Sequence, residues 1–308
     1  MIKLLIVPFF VGLAILLFGI QLMKIGLLQW GSTHVNRWLH RFTQSIPHSF
    51  GTGLISTMIL QSSSAVTLLA IGMVEGSLLT FRQAFGIVLG SNIGTVITAE
   101  LMILPMDRLA PWLFPLGGLI WILGKGRGRQ LGLVLGGFSC ILLGMSAITT
   151  ITEPLQQFQW YQWMLHQQHS ILFGVLIGTI LTAIIQSSTA TTLITMSFMQ
   201  DGMIALPFAI AIILGSNIGT CATSLLGAIG TSRVAQRVAW THVILNLLGV
   251  FLFLPFIQFF VMLVINITAD PSAQIAHTQT IFNVVCSMLA LPFAEPFIRM
   301  MERLVPDY

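Results

Sequence analysis

Polar and apolar positions do not alternate along this chain; apolar residues come in long continuous runs. A helix needs roughly 20 apolar residues to cross the hydrocarbon core of a bilayer. Runs of that order predict spans at 4–29, 83–104, 109–124, 131–150, 205–229, 238–265 and 276–296. The alternating segments of a membrane β-barrel are missing. Two further runs are interrupted by polar clusters, in LQSSSAVTLL (Leu60–Leu69) and IIQSSTATTLI (Ile184–Ile194). Each is read as a re-entrant helical hairpin, at about 50–78 and 170–200, with the polar cluster at its tip. The segments 31–48 and 152–169 carry Trp, His and Gln, and predict helices lying in opposite membrane interfaces.

Composition agrees with a chain in contact with lipid. Only 7% of the 308 residues are charged and 56% are hydrophobic, against about 25% charged in soluble domains. The fold class is an all-α polytopic membrane protein, expected in the cell membrane. The net charge of +4 is small and its cations sit in loops, the usual topogenic bias; no nucleic-acid partner is expected. Cys140, Cys221 and Cys286 lie in apolar segments without metal-ligand or disulfide spacing. The first apolar run is too long for the h-region of a signal peptide. No soluble domain or nucleotide-binding loop is expected. No His, Cys or acid stands beside a nucleophile at useful spacing, so the reading is not an enzyme and calls for no cofactor.

The chain repeats itself at a shift of 125 residues (61 to 186). Gln61-Ser62-Ser63 falls on Gln186-Ser187-Ser188, Leu89 to Thr95 falls on Leu214 to Thr220 without a difference, and Thr98 falls on Thr223. Apolar positions between the motifs have drifted, as Ala70 against Thr195 and Gly72 against Ser197. Polar identity kept where apolar identity is not argues for a job in both copies. The chain divides into a first unit, 1–124, a second, 125–265, and an extra C-terminal helix with a short tail, 266–308.

Lys and Arg in short loops favour the cytoplasmic side. With both hairpins re-entrant, Arg37, Arg41, Arg82, the Lys125–Arg129 cluster, Arg233, Arg237, Arg299 and Arg303 all fall inside, and Lys3 and Arg108 outside. The N-terminus is then outside, the C-terminus cytoplasmic, and the two units face opposite ways. Inverted repeats of this kind recur in secondary transporters, with the substrate site near the midplane at the repeat interface.

The polar clusters suit such a site. Backbone that breaks at membrane depth is tolerated where it is buried in protein or lines a cavity. A Ser at each tip can cap the second half-helix, whose free N–H groups and positive dipole end favour an anion. Gly90 and Gly94, and Gly215 and Gly219, are expected to unwind the next span at GSNIGT. The freed carbonyls, with hydroxyl and amide oxygens, suit a hard cation such as Na+. The expected substrate pocket comprises Gln61, Ser62, Ser63, Ser64, Ser91 and Asn92 with Gln186, Ser187, Ser188, Thr189, Ser216 and Asn217. No Lys or Arg lies near these motifs. A divalent anion there would need helix dipoles, hydroxyl donors and co-bound cations.

At these residues the chain resembles the type II sodium/phosphate cotransporter family in its short bacterial form. That family pairs two QSSS-type motifs with two motifs like GSNIGT; here they are Gln61–Ser64 and Gln186–Thr189, each followed by GSNIGT. The opening Gly12–Leu27 and the late Ala276–Asn283 are similar to family segments too. The resemblance implies Na+-coupled symport of inorganic phosphate, with phosphate held by Ser and Gln groups at both tips. It implies Na+ near Gln186, Ser187, Thr220 and Thr223, and by internal symmetry a related cluster of Gln61, Ser62, Thr95 and Thr98. Some members of the family carry a PhoU-like domain; this sequence reads without one.

Other polar residues are weighed singly. Glu75 and the Gln200-Asp201 pair lie at matching ends of the two hairpins and are read as interfacial. Glu100 sits in the outer part of a span, where an acid is a functional candidate. His242, Asn246, His277 and Asn283 are expected to make interhelical hydrogen bonds. Two alternatives stay open: a carrier of another small anion, such as a carboxylate or amino acid, and a non-transporting membrane scaffold or sensor.

Overall fold

The computed structural model describes residues 2–41, 43–104, 109–151, 168 and 170–306, and all regular structure among them is helical. The protein is a multi-pass membrane protein. Among the described residues six helical stretches are long and apolar enough to cross a bilayer: Ile6–Gln29, Phe81–Leu101, Arg127–Thr149, Leu206–Gly227, Arg233–Ile267 and Pro271–Leu304. The seventh expected span, at 109–124, is a shorter helix, Ala110–Leu123, of 14 residues. At 1.5 Å per residue it measures about 21 Å, short of a ~30 Å hydrocarbon core.

The first helix, α1, runs from Ile2 to Arg41. The separate interfacial helix expected at 31–48 is therefore not formed. Residues 31–41 prolong α1, and 46–48 already belong to α2 (Ile46–Leu60). Its counterpart at 152–169 lies almost wholly outside the described residues.

α2 gives way to α3 (Ser63–Glu75) through two residues, Gln61 and Ser62. After it come α4 (Phe81–Gly94), α5 (Val96–Leu101), α6 (Ala110–Leu123) and α7 (Arg127–Thr149). The second unit follows the first closely: α8 (Ile171–Ile185), α9 (Ser188–Gln200), α10 (Leu206–Gly219) and α11 (Cys221–Gly227). α2 and α8 both have 15 residues, α3 and α9 both 13, and α4 and α10 both 14. Each half-helix spans about 20–23 Å, too short to cross the core alone.

Two long spans close the fold. α12 (Arg233–Phe253) continues into α13 (Ile257–Ile267), and α14 (Pro271–Ala290) into α15 (Ala294–Leu304). Each pair is joined by one tight 3-10 turn of the same sequence, Leu254–Phe256 and Leu291–Phe293. The proline in each lacks an N–H and crowds the preceding turn, which interrupts the α-helical ladder.

The glycines of the GSNIGT motifs correct the sequence reading. Gly90, Gly94, Gly215 and Gly219 are helical and do not unwind their spans; the irregularity is one residue later, at Thr95 and Thr220, both still near helical dihedrals. Their use is close packing between α2 and α4, and between α8 and α10. A Cβ on Gly90 would stand 1.9 Å from the carbonyl oxygen of Phe50, and one on Gly215 would stand 2.0 Å from that of Val175. Gly53 and Gly178 are equally pressed, at 2.2 Å from Ile87 O and 2.0 Å from Ile212 O. The first half of each helix pair thus lies backbone against backbone on the span that follows it.

α1 and α7 cross antiparallel on glycines as well. Gly12 meets Gly144 and Ile148, Gly19 meets Gly137 and Ile141, and Gly26 meets Gln130 and Val134. Buried apolar side chains gather in two clusters. One holds Leu60 to Leu89 of the first unit with Ala235, Val238 and Ile298. The other holds Ala190 to Leu214 of the second with Leu16, Ile141 and Phe282. Cationic loops meet at one end: Arg82 pairs with Glu295, the Arg237 Nε donates to Val305 O at 2.6 Å, and the Ser232 N–H donates to Glu75 Oε2 at 2.8 Å.

Candidate functional site

Both polar tips have the same construction. Gln61 and Gln186 take the left-handed conformation, φ 51° and 57°, and close the preceding helix. Their backbone N–H groups donate to Thr57 O and Thr182 O, each at 2.7 Å. Ser62 and Ser187 then take extended backbone, and their hydroxyls accept from the N–H of Ala65 and Ala190, each at 3.2 Å. A left-handed stop followed by a Ser cap is how two consecutive residues end one helix and start another. Left-handed backbone is costly for a residue with a Cβ, and Gln at both tips argues that its side chain is wanted there.

Ser63, Ser64, Ser188 and Thr189 are buried at the first turn of the new helices. Beyond the tips, several hydroxyls spend their hydrogens on their own helix. Ser91 donates to Val88 O and Ser216 to Ile213 O, at 2.8 and 2.7 Å. Thr95 donates to Asn92 O and Thr220 to Asn217 O, at 2.9 and 2.7 Å. Asn217 donates its amide to Ile213 O at 2.9 Å, and Asn92 is half-buried. These hydroxyls keep lone pairs to offer, which suits a cation better than an anion.

The two clusters differ in one respect. In the first, the Thr98 hydroxyl donates to Gln61 Oε1, tying the tip to α5. In the second, the hydroxyl of Thr223, the counterpart of Thr98, is buried with no hydrogen-bond partner among the described residues, and Gln186 is exposed. The units also pack reciprocally: α3 lies against α11, and α9 against α5. Among the described residues no three His, Cys, Asp or Glu side chains lie together. The oxygens at the tips are hydroxyl, amide and carbonyl.

Several polar contacts join distant segments. Glu100 accepts from His277, at 3.1 Å, and from Thr280, which fastens α5 to α14. His242 meets the Ser224 hydroxyl at 2.8 Å, binding α12 to α11. Asn246 donates to His242 O at 2.9 Å and to Cys221 Sγ at 3.5 Å. Asn283 instead bonds within its own helix, to Gln279 O at 3.0 Å. Glu75 is exposed, and Gln200 with Asp201 lines an end cavity of about 310 Å³ alongside Ser146 and Thr149. Two residues that the sequence reading passed over stand beside the second tip: Thr192 and Gln279, 2.7 Å apart. The second of them lies within Ala276–Asn283, the late segment similar to the family, and was not singled out there.

An all-helical membrane protein with two like-built polar helix breaks is defined by these features. The sequence profile of the Na+/Pi-cotransporter family matches the chain twice in succession, over residues 15–150 and 152–284. The chain belongs to that family, which is named for transport. It is 35% identical over 274 residues to "Uncharacterized protein YqeW" of Bacillus subtilis (strain 168), covering 88% of this chain and 89% of that protein. It is 30% identical over 250 residues to "Putative inorganic phosphate export protein YjbB" of Escherichia coli (strain K12), covering 80% of this chain and 46% of the relative. The chain therefore matches about half of that longer protein. A shorter match, 35% over 88 residues, is to "Sodium-dependent phosphate transport protein 2A" of Ovis aries, covering 27% of this chain and 14% of that one. No solved structure matches.

Proposed function

We propose that the chain is a secondary transporter that carries inorganic phosphate together with Na+ through a site between two inverted repeats. The observation that carries the reading is the pair of Gln-Ser helix breaks, built alike at 61–62 and 186–187, in a chain of the Na+/Pi-cotransporter family. Each break opens a helix at its positive dipole end, where the Ser cap takes one first-turn N–H and the N–H groups before it are in position to favour an anion. The surrounding hydroxyl and amide oxygens favour Na+. Phosphate falls to Ser62, Ser63, Ser64, Ser187, Ser188 and Thr189 with the two glutamines. Na+ falls to Gln186, Ser187, Thr220 and Thr223.

Opposite orientation of the units is supported by reciprocity. Gly137 and Gly144 are the repeat counterparts of Gly12 and Gly19, and the contacts run Gly12 to Gly144 and Gly19 to Gly137. Swapping the two units leaves that contact pattern unchanged, as a two-fold axis requires. Because α1 and α7 are antiparallel, such an axis lies across the helices, in the membrane plane. Half-helices too short to cross the core support re-entrant hairpins. The meeting of Arg82 with Glu295 on α15 and of Arg237 with Val305 just beyond it supports a cytoplasmic C-terminus.

The test is uptake of radiolabelled phosphate into proteoliposomes of purified protein under an inward Na+ gradient, against a matched K+ gradient. Accumulation is expected with Na+ alone. Ser62→Ala and Ser187→Ala are each expected to abolish it while costing about 1 kcal/mol of stability through the lost cap. Arsenate should compete and dicarboxylates should not. Uptake that ignores Na+, or normal uptake in both Ser variants, would refute the assignment. The name of the YjbB relative favours an outward physiological direction; the same assay with the Na+ gradient reversed in loaded vesicles reads that direction.

A further inference from the structure

Two cavities flank the start of α12, and they differ in the charge of their lining. One, of about 460 Å³, is lined by Glu75, Ser77, Thr80 and Gln83 with Ser232 and Val234 of α12. The other, of about 420 Å³, is lined by Arg233, Trp240 and Ile244 of α12 and by Met301, Leu304 and Val305 at the end of α15. Glu75 belongs to the first side, where it takes the Ser232 N–H at 2.8 Å. Among the described residues no Asp or Glu lines the second. Its far wall is fixed. Ile298 and Met301 seat α15 on the apolar cluster of the first unit, and the buried Arg237 donates its Nε to Val305 O at 2.6 Å.

The lining of this second groove changes character along its length. Arg233, Trp240 and Ile244 recur at intervals of seven and four residues, on one face of α12. At 1.5 Å per residue, Trp240 lies about 10 Å and Ile244 about 16 Å along the helix from Arg233. A guanidinium at the mouth, an indole below it and an aliphatic floor follow the order of headgroup, interface and hydrocarbon in a bilayer. Trp240 is 44% exposed and Leu304 60%, so both keep apolar surface for an acyl chain to cover. Arg233 is exposed and makes no ion pair among the described residues. Its guanidinium donates to Gln236 Oε1 at 3.3 Å, on its own helix. By contrast Arg82 is paired with Glu295.

We infer that the groove between α12 and α15 binds an anionic phospholipid of the cytoplasmic leaflet, with the lipid phosphate on Arg233 and an acyl chain along Trp240, Ile244 and Leu304. Basic pockets between helices on the cytoplasmic side hold anionic headgroups, and a guanidinium can meet a phosphate with two parallel hydrogen bonds. The choice of leaflet follows from the orientation proposed above; the site itself stands apart from the transport reading. The acid in the neighbouring cavity makes that one a poor host for the same lipid.

The experiment is native mass spectrometry of the purified full chain in detergent, titrated with phosphatidylglycerol or with phosphatidylcholine of the same acyl chains. The unaltered protein is expected to bind phosphatidylglycerol roughly 10-fold tighter, the worth of one charged contact, because phosphatidylcholine carries its own cation beside the phosphate. Arg233→Gln should bring the two lipids level. Arg82→Gln, at the same end but outside the groove, should keep the preference. Inorganic phosphate at the same concentration should not displace phosphatidylglycerol, since it has no chain for Trp240 and Leu304. Melting temperature in detergent reports folding. Should Arg233→Gln melt early, Leu304→Glu decides in its place: it sets an acid on an exposed wall position and should abolish the preference. Equal binding of the two lipids by the unaltered protein would overturn the inference. So would a preference that survives the deciding variant, displacement by free phosphate, or a preference lost equally in Arg82→Gln, which would mark general surface charge. None of these readings depends on uptake, so the transport assignment stands or falls separately.

Discussion

The two tips share a backbone and differ in how their side chains are spent. At the first, Gln61 accepts from Thr98, so the glutamine is tied to the short helix beyond GSNIGT. At the second, Thr223 holds a buried hydroxyl with no partner among the described residues, and Gln186 is exposed. Around them the bookkeeping reverses. Thr182 and Thr192 of the second unit are bonded, to Thr191 and to Gln279, each at 2.7 Å. Their counterparts Thr57 and Thr67 have no partner among the described residues. The reason for one pair is plain: Thr191 has Val66 as its counterpart, which offers no hydroxyl. A duplicated backbone thus carries two half-sites of different readiness. In the first the Thr98 hydroxyl has its hydrogen committed to Gln61 and is held in place by it, while in the second the Thr223 hydroxyl has no partner among the described residues and can turn its lone pairs to the proposed cation without restraint.

A second contrast lies in the packing that holds each tip. Where α2 crosses α4, a Cβ on Gly86 would fall 2.7 Å from the Cβ of Ser49. In the second unit the roles are exchanged: Gly174 stands where Ser49 does, and a Cβ on it would fall 2.7 Å from the Cβ of Ala211, which stands where Gly86 does. The side-chain contact at this crossing has its glycine on α4 in one unit and on α8 in the other, although a Cβ on Gly86 would also fall 2.7 Å from the Ile46 carbonyl oxygen.

The largest effects are expected from breaking what the units share. Gly90→Ala and Gly215→Ala each drive a methyl into a backbone carbonyl, which a helix pair cannot absorb by moving a side chain. Each should cost more than the ~1–3 kcal/mol of ordinary overpacking and leave little folded protein on size-exclusion chromatography. Gly86→Ala should be destabilising too; adding Ser49→Gly removes the contact with the Ser49 Cβ and should recover part of the loss in melting temperature, the remainder being the 2.7 Å approach to the Ile46 carbonyl oxygen. Failure of that rescue would show that the crossings are not equivalent.

Intermediate effects separate the half-sites. Thr223→Val should raise the Na+ concentration for half-maximal uptake roughly 10-fold, the equivalent of about 1.4 kcal/mol, with stability unchanged or improved because no bond is lost. Thr98→Val should do the reverse, costing about 1 kcal/mol of stability with a smaller effect on Na+. Equal Na+ shifts in the two variants would erase the distinction drawn here.

The smallest effect tests a contact outside the comparison. Arg82 and Glu295 are exposed, with side chains 58% and 48% accessible. Arg82→Gln should change stability by no more than about 0.5 kcal/mol and leave uptake kinetics as they were, unless this contact closes a gate.

Much of the fold was legible in the chain. Long apolar runs marked the spans, because only helices of that length satisfy their backbone in lipid. The Gln-Ser tips were legible because capping is local: a Ser accepting from an N–H three residues on needs nothing from the rest of the protein. The duplication was visible as a plain shift of residues. The interfacial helix expected at 31–48 was misplaced, because polar composition alone does not stop a helix and α1 runs on through it.

What the chain alone could not tell was how its parts meet. The same Gly90 can serve an unwound turn or a tight crossing, and only the carbonyl of Phe50 beside it decided for the crossing. Glu100 and His277 are 177 positions apart, and Thr192 and Gln279 are 87 apart. Side-chain hydrogen bonds act over about 3 Å, and nothing in the order of residues brings such partners within that distance. The helices, their ends and the chemistry offered at the two tips were set by local sequence. Which hydroxyls keep no partner among the described residues, and that α14 brings Gln279 against Thr192, followed from how the helices pack.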